Sequence, residues 1–278
     1  MAQDVAASAG RDERARATPY YFRFTLAYAL LTLVAVLGVG ALVIVLARSE
    51  GTRTHWSTFE PTGSAVARTR QIATQVSSEY KSATGGKLVT VVPSPLQTTR
   101  FLQSDSGQVS VEVPISSLAV ELNASTGKHE EGDFKSFDAG STVAYQMCAF
   151  GSTQQDCGIV SGVTAYRGQL LRREALELAL YTLKYVHGTN AVLVYLPPPA
   201  NPQASDTSVL VAREDVAQSL RRPLGKTLAP QQLVLGEAPP DVGQVDKLTL
   251  PHLYTYDYQT LPGDGTAILV LTSATAPH

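Results

Sequence analysis

Cysteine, methionine and tryptophan are scarce in this 278-residue chain: two, two and one residues respectively. Two cysteines are too few to staple a small domain and, without further thiols, supply too few ligands for a structural zinc site. The five histidines, His55, His129, His187, His252 and His278, never fall within four residues of one another, and neither H-E-x-x-H nor C-x-x-C occurs. Phosphate-binding loops, dinucleotide fingerprints and nucleophile elbows are also missing from the sequence, so no cofactor, metal or nucleotide is indicated. Net charge is −2 and charged residues make up 17%. Such a balance gives no global field for nucleic acid. No internal repeat is visible.

One long hydrophobic run is present. Phe24 to Ala47 (FTLAYALLTLVAVLGVGALVIVLA) contains no charge over 24 residues. As a helix it would span ~36 Å, enough to cross a hydrocarbon core of ~30 Å with some tilt. A cleavable signal peptide would have a shorter apolar stretch followed by small residues, whereas here Arg48 follows Ala47. The run therefore predicts an uncleaved signal anchor, with the lipid bilayer as partner of residues 24–47. Arg11, Arg14, Arg16 and Arg23 precede it and only Arg48 and Arg53 follow closely. The positive-inside rule then puts residues 1–23 in the cytoplasm and the rest outside. Tyr20, Tyr21 and Phe22 sit where interfacial aromatics belong. Gly38 and Gly40 form no GxxxG pair, so a dimerising face is only weakly marked. A tail of about 23 residues is too short to fold as an output domain.

The remaining chain divides into a juxtamembrane linker, residues 48–63, and a domain over residues 64–278. Ser64 to Ala83 has helical spacing, with Val66, Ile72, Val76 and Tyr80 on one face. KLVTVVPSPL reads as a strand, and SVEVPISSLAVEL as a strand pair broken at Pro114. Residues 123–140 read as loop. STVAYQMCAF and GIVSGVTAYR read as strands flanking a cysteine loop. A helix of about 18 residues through LLRREALELALYTLKYV stops at Gly188, and the strand AVLVYL follows. SVLVA and REDVAQSLRRPL give a strand and a helix, residues 231–243 a loop, and LYTYDYQTL and TAILVLTSA two closing strands. Helices and strands alternate without a strict βαβ rhythm, so the fold class is α+β with a mixed sheet.

Cys148 and Cys157 enclose eight residues including Gly151. On the outer side of a membrane this spacing suits a disulfide across a loop, and so small a ring stabilises by ~3 kcal/mol at most. WSTFEPTG, RREALELALYTLKYV and the later RRPL together resemble an uncharacterised actinobacterial family of single-pass membrane-anchored proteins. That resemblance implies location and lineage, and no activity, cofactor or catalytic residue.

Candidates for chemistry are few. Ser78-Glu79-Tyr80-Lys81 matches the S-x-x-K pattern of serine enzymes that work outside the membrane, with Ser and Lys on one helical face. No S-D-N follows, and Lys226-Thr227 is followed by Leu228 where glycine is needed. His129, Glu130, Glu131 and Asp133 form an acidic loop better read as solvated than as a cation site. Tyr254, Tyr256 and Tyr258 alternate on one strand face, as a binding row or as a half-buried sheet face. Arg172-Arg173 and Arg221-Arg222 are candidate anion contacts, or solvated helix faces with acidic neighbours such as Glu174 and Glu177. The leading expectation is a non-enzymatic interaction or accessory protein of the bacterial envelope. Its partner would be a membrane protein or cell-wall material. A hydrolase or acyltransferase of the S-x-x-K type, or a wall-polymer binding module, is the alternative.

Overall fold

The computed structural model describes residues 28, 31, 32, 34, 56–83, 90–104, 107–122, 133–148, 165–198, 205–230, 239–261 and 265–274. The chain divides into two units, Met1–Thr54 and His55–His278. In the first, Tyr28, Leu31, Thr32 and Val34 are helical and exposed, and the Thr32 hydroxyl donates back to the Tyr28 carbonyl at 2.7 Å. The rest of the expected anchor lies outside the described residues. Among the described residues no helix is long and apolar enough to cross a membrane.

Among the described residues the second unit is α+β, built on one mixed sheet of nine strands. The strands are β1 (Thr90–Ser94), β2 (Gln97–Ser104), β3 (Gly107–Glu121), β4 (Phe134–Asp138) and β5 (Thr142–Cys148), then β6 (Ala191–Tyr195), β7 (Thr207–Ala212), β8 (Leu253–Thr260) and β9 (Ala267–Ser273). Their order is β1-β5-β6-β7-β8-β9-β3-β2, with β4 also paired to β3. Only β5–β6 and β3–β9 run parallel. The helices are α1 (Ala65–Ala83), α2 (Ala165–Tyr185), α3 (Ala217–Arg221) and α4 (Val242–Thr249).

The central strands β6 and β7 are buried on both faces, which is why they read as unbroken Val/Leu runs. Their alternate residues enter two separate cores. Val192, Val194, Val209 and Val211, with Tyr145 and Met147, pack beneath α1 and α2. Ala191, Leu193, Tyr195 and Leu210 point the other way and meet Leu118 and Val120 of β3 and Leu269 and Leu271 of β9. The sheet therefore curls, and its far end covers the face that, among the described residues, no helix covers.

In α1 the buried stripe is Thr69, Ile72, Ala73, Val76, Ser77 and Tyr80, the i, i+3, i+4 series of an amphipathic helix. Val66, expected on that stripe, is instead 62% exposed, because it lies in the first turn, before the helix reaches α2. Ser64 caps the helix, its hydroxyl accepting the Ala67 N–H at 3.3 Å. Every residue of α2 from Arg173 to Leu183 is buried, so this helix is enclosed on all sides. Gly188, at φ 82, supplies the left-handed turn that ends it.

Several expectations are corrected here. β3 runs straight through Pro114 instead of breaking there. Pro114 is the last residue paired to β2, opposite Gln97, and a register shift follows as β3 changes partner to β9. A missing N–H is tolerated at such a junction. Residues 134–138 of the expected loop form β4, which pairs with β3. Ala165 to Arg167, read as the end of a strand, begin α2, while residues 151–164 lie outside the described residues. The helix expected over REDVAQSLRRPL is only Ala217–Arg221, and α4 was not anticipated.

The expected linker also differs. Trp56 is buried, packing edge-on against Tyr181 at 5.3 Å and Tyr185 at 5.8 Å. Its indole N–H donates to the Ser219 carbonyl at 3.3 Å, and its own carbonyl accepts the Leu224 N–H at 2.7 Å. Residues 56–63 belong to the folded unit. Trp56→Ala should cost ~3–5 kcal/mol, the usual range for emptying such a site, in urea unfolding followed by circular dichroism. A cost below ~1 kcal/mol would return this segment to the linker.

Candidate functional site

The most unusual chemistry is buried between α1 and α2. Arg173, read from sequence as part of a solvated face, is 5% exposed, and its neighbours Glu174 and Glu177 are 0% and 6% exposed. Its guanidinium donates from Nε to both oxygens of Asp241 at 3.0 and 3.2 Å and from Nη1 to the Tyr80 hydroxyl at 2.6 Å. Nη2 donates to the Ala229 carbonyl at 2.9 Å. The Tyr80 hydroxyl in turn donates to Glu177 Oε2 at 3.0 Å, and Asp241 accepts the Ala229 N–H at 2.9 Å. Arg173 Nη1 also lies 3.5 Å from Glu177 Oε2. One cation thereby ties α1, α2, the Ala229 turn and the start of α4.

Burial drives the titration of this group. It works against the Arg173 charge, but Tyr80, Glu177 and Asp241 outweigh it and hold the guanidinium protonated. Desolvation also raises Tyr80 well above its ordinary value, with the Glu177 charge adding to it. Glu177 is pushed up to about 7, chiefly by desolvation, with Arg173 opposing. Glu174 is raised well above the usual carboxylate range by desolvation first and by Glu177 second, against Lys81. Neither Glu174 oxygen has a hydrogen-bond partner. The arrangement is a packing clamp: Nε, Nη1 and Nη2 of Arg173 each donate to one of its members.

A second cluster lies where the sheet curls. A cleft of about 160 Å³ opens between the ends of β3, β4 and β7 and the start of β8. Its walls include Val120, Phe137, Leu210 and Ala212, and its polar groups are Lys135, Asp215, His252 and Tyr254. Asp215 Oδ2 accepts the Ala212 N–H at 3.1 Å and lies 3.8 Å from His252 Nδ1. Lys135 pairs with Glu214 and sits 5.0 Å from the Phe137 ring centroid. Tyr254 keeps its proton above the ordinary range through burial and the Asp215 charge.

The tyrosine row expected on β8 does share one face, which turns into the curl. Tyr254 is buried, and Tyr256 and Tyr258 are half-buried against the second core. Tyr256 packs edge-on to Tyr195 at 5.0 Å and to Tyr258 at 5.8 Å. Burial raises all three phenols. This is the half-buried sheet face rather than an open stacking row. Ser208, paired in register with both Tyr195 and Tyr254, has a buried hydroxyl with no partner.

Of the other expected residues, Ser78 is exposed and its hydroxyl donates to the Gln75 carbonyl at 2.8 Å. No hydrogen bond joins it to Lys81 among the described residues. Cys148 is the last residue of β5, buried and not free, and Cys157 lies outside the described residues. His129, Glu130 and Glu131 also lie outside them. Among the described residues no group of three or more His, Cys, Asp and Glu is placed to hold a metal ion. Arg172 pairs with Asp246 of α4 at 2.6 Å, and Arg222 donates to the Thr227 hydroxyl at 3.0 Å. Arg221 remains exposed.

A third feature is a ribbon. Five consecutive residues of β3, Gln108 to Glu112, are exposed. A strand packed on either face would alternate, so this stretch of β3 is packed on neither face. Val109 (45% exposed) and Val111 (39%) continue outward the face on which Val113 is buried. Comparison of the chain with protein-family models, curated proteins and solved structures finds no match.

The buried acids set a pH dependence. Both glutamates hold protons in the folded state that the unfolded chain releases above about 4.5. Stability is therefore fully present below that pH and is lost as pH rises through about 7 for Glu177, with Glu174, raised in the same direction by desolvation, adding to the loss with the same sign. Glu174→Leu should raise stability by ~1–3 kcal/mol at pH 5, the cost of an unbonded buried polar group, and by more at pH 8. Urea midpoints across that range check it. Destabilisation by the replacement would mean that Lys81 pairs with the carboxylate in solution.

Proposed function

We propose that the chain is a membrane-anchored interaction protein of the bacterial envelope, its partner a protein strand that docks on the β2–β3 ribbon. The observation that supports this reading is the ribbon's free stretch at residues 108–112, with Val109 and Val111 side by side on one face. β2 is paired only to β3 among the described residues, so its outer edge offers unpaired backbone groups. An edge of this kind accepts an added strand, while the flanking valines supply an apolar contact. In this reading residues 24–47 form the anchor, residues 1–23 face the cytoplasm and the domain acts outside. Cys148 and Cys157 form a disulfide there, in keeping with an oxidising compartment.

Co-purification from native membranes, read by mass spectrometry, tests this. A stoichiometric companion should accompany the wild type and be lost from Val109→Glu/Val111→Glu, which leaves both cores untouched. A companion retained by that variant removes the ribbon from the interface, and a chain that purifies alone contradicts the reading. In intact cells a membrane-impermeant maleimide should label Cys148 and Cys157 only after reduction. Labelling that needs permeabilised cells would reverse the orientation.

A further inference from the structure

The cleft at the curl has the size, walls and charge of a small-ligand site. Its volume, about 160 Å³, is close to that of a dry protein cavity that takes up benzene, roughly 150 Å³. Val120, Leu210 and Ala212 give it an apolar wall. Asp215, held in place by the Ala212 N–H, presents its carboxylate at the polar end beside Tyr254. Asp215 is the one carboxylate in the lining: Glu214 beside it pairs with Lys135, and Glu121, which alternates with the lining residues Val120 and Leu122, turns to the other face of β3 and accepts the Thr272 hydroxyl at 3.1 Å. The cations nearby are already engaged, Lys135 by Glu214 and Arg213 by the Thr189 carbonyl at 2.7 and 3.0 Å.

From this charge balance we infer that the cleft binds a small primary amine, its ammonium on the Asp215 carboxylate and its apolar body against Leu210, Val120 and Ala212. The ammonium meets a half-buried carboxylate that has His252 Nδ1 3.8 Å away. The Tyr254 hydroxyl, which keeps its proton beside Asp215, adds an acceptor lone pair for a second ammonium N–H. A carboxylate ligand would meet the Asp215 charge directly, and only Lys135, already paired, would attract it. The inference rests on the cleft alone and is separate from the ribbon.

Ligand-observed NMR titration of the full chain in zwitterionic nanodiscs tests it, with n-butylammonium and butyrate as probes and empty nanodiscs as the blank. n-Butylammonium should bind saturably at one site and butyrate should not. Asp215→Asn should weaken the amine about tenfold or more, the loss of one charge-assisted contact. Ala212→Leu fills the cleft without touching the carboxylate and should abolish binding, so the test survives a misfolded Asp215 variant. Preference for butyrate, or amine affinity at the wild-type level in Asp215→Asn or in Ala212→Leu, would overturn the inference.

Discussion

The Arg173 guanidinium is the contact on which the helical side of the molecule depends. Burying a cation carries a desolvation cost that only near-complete hydrogen bonding offsets. Here the Asp241 carboxylate, the Tyr80 hydroxyl and the Ala229 carbonyl together meet its three nitrogens. Those acceptors come from α1, α4 and the turn at Ala229, segments that share no strand with one another. Apolar packing brings α1 against α2 but does not fix how far one slides along the other. A planar fork with fixed acceptors does. The wider acid cluster then follows: Glu177 is kept near the clamp by Tyr80, and Glu174, one residue from Arg173, is buried with nothing to bind.

The sheet obeys a different constraint. β6 and β7 are apolar on both faces, and the helices cover one of them. The other face is closed by β9 and the second half of β3, so curling replaces a second helical layer. β3 is long enough to serve twice. Its second half fills the inner core through Leu118 and Val120, while its first half pairs with β2 as a ribbon. Pro114 marks the change of partner. The rim of the curl, where β3, β4 and β7 meet the start of β8, holds the cleft lined by Lys135, Asp215 and Tyr254.

Much of this architecture was legible in the residues and some was not. The strands β5 to β9 were visible because apolar runs bounded by Gly and Pro leave little else to choose. The long helix was visible through its spacing and its Gly188 stop. Pro114 misled because a proline in a strand normally ends it, and only tertiary pairing reveals a junction where no donor is needed. α4 escaped notice because its eight residues follow a Pro/Gly-rich stretch and carry a single apolar stripe. The acids of α2 looked solvated because Arg-Glu neighbours usually are. The available signal was the unbroken LALYTL that follows, apolar on every side, which leaves an adjoining Glu no route to water. Asp241, far along the chain, gave no sign of its role, and neither did the cleft residues, which come from four separate segments.

Urea unfolding of Arg173→Met, a replacement of similar length without charge, tests the clamp most directly. The account predicts a loss of ~3–5 kcal/mol, because the Asp241 carboxylate is left buried without its cation. A variant within ~1 kcal/mol of the wild type, with the same circular dichroism, would show that apolar packing alone holds the helices and would contradict the account.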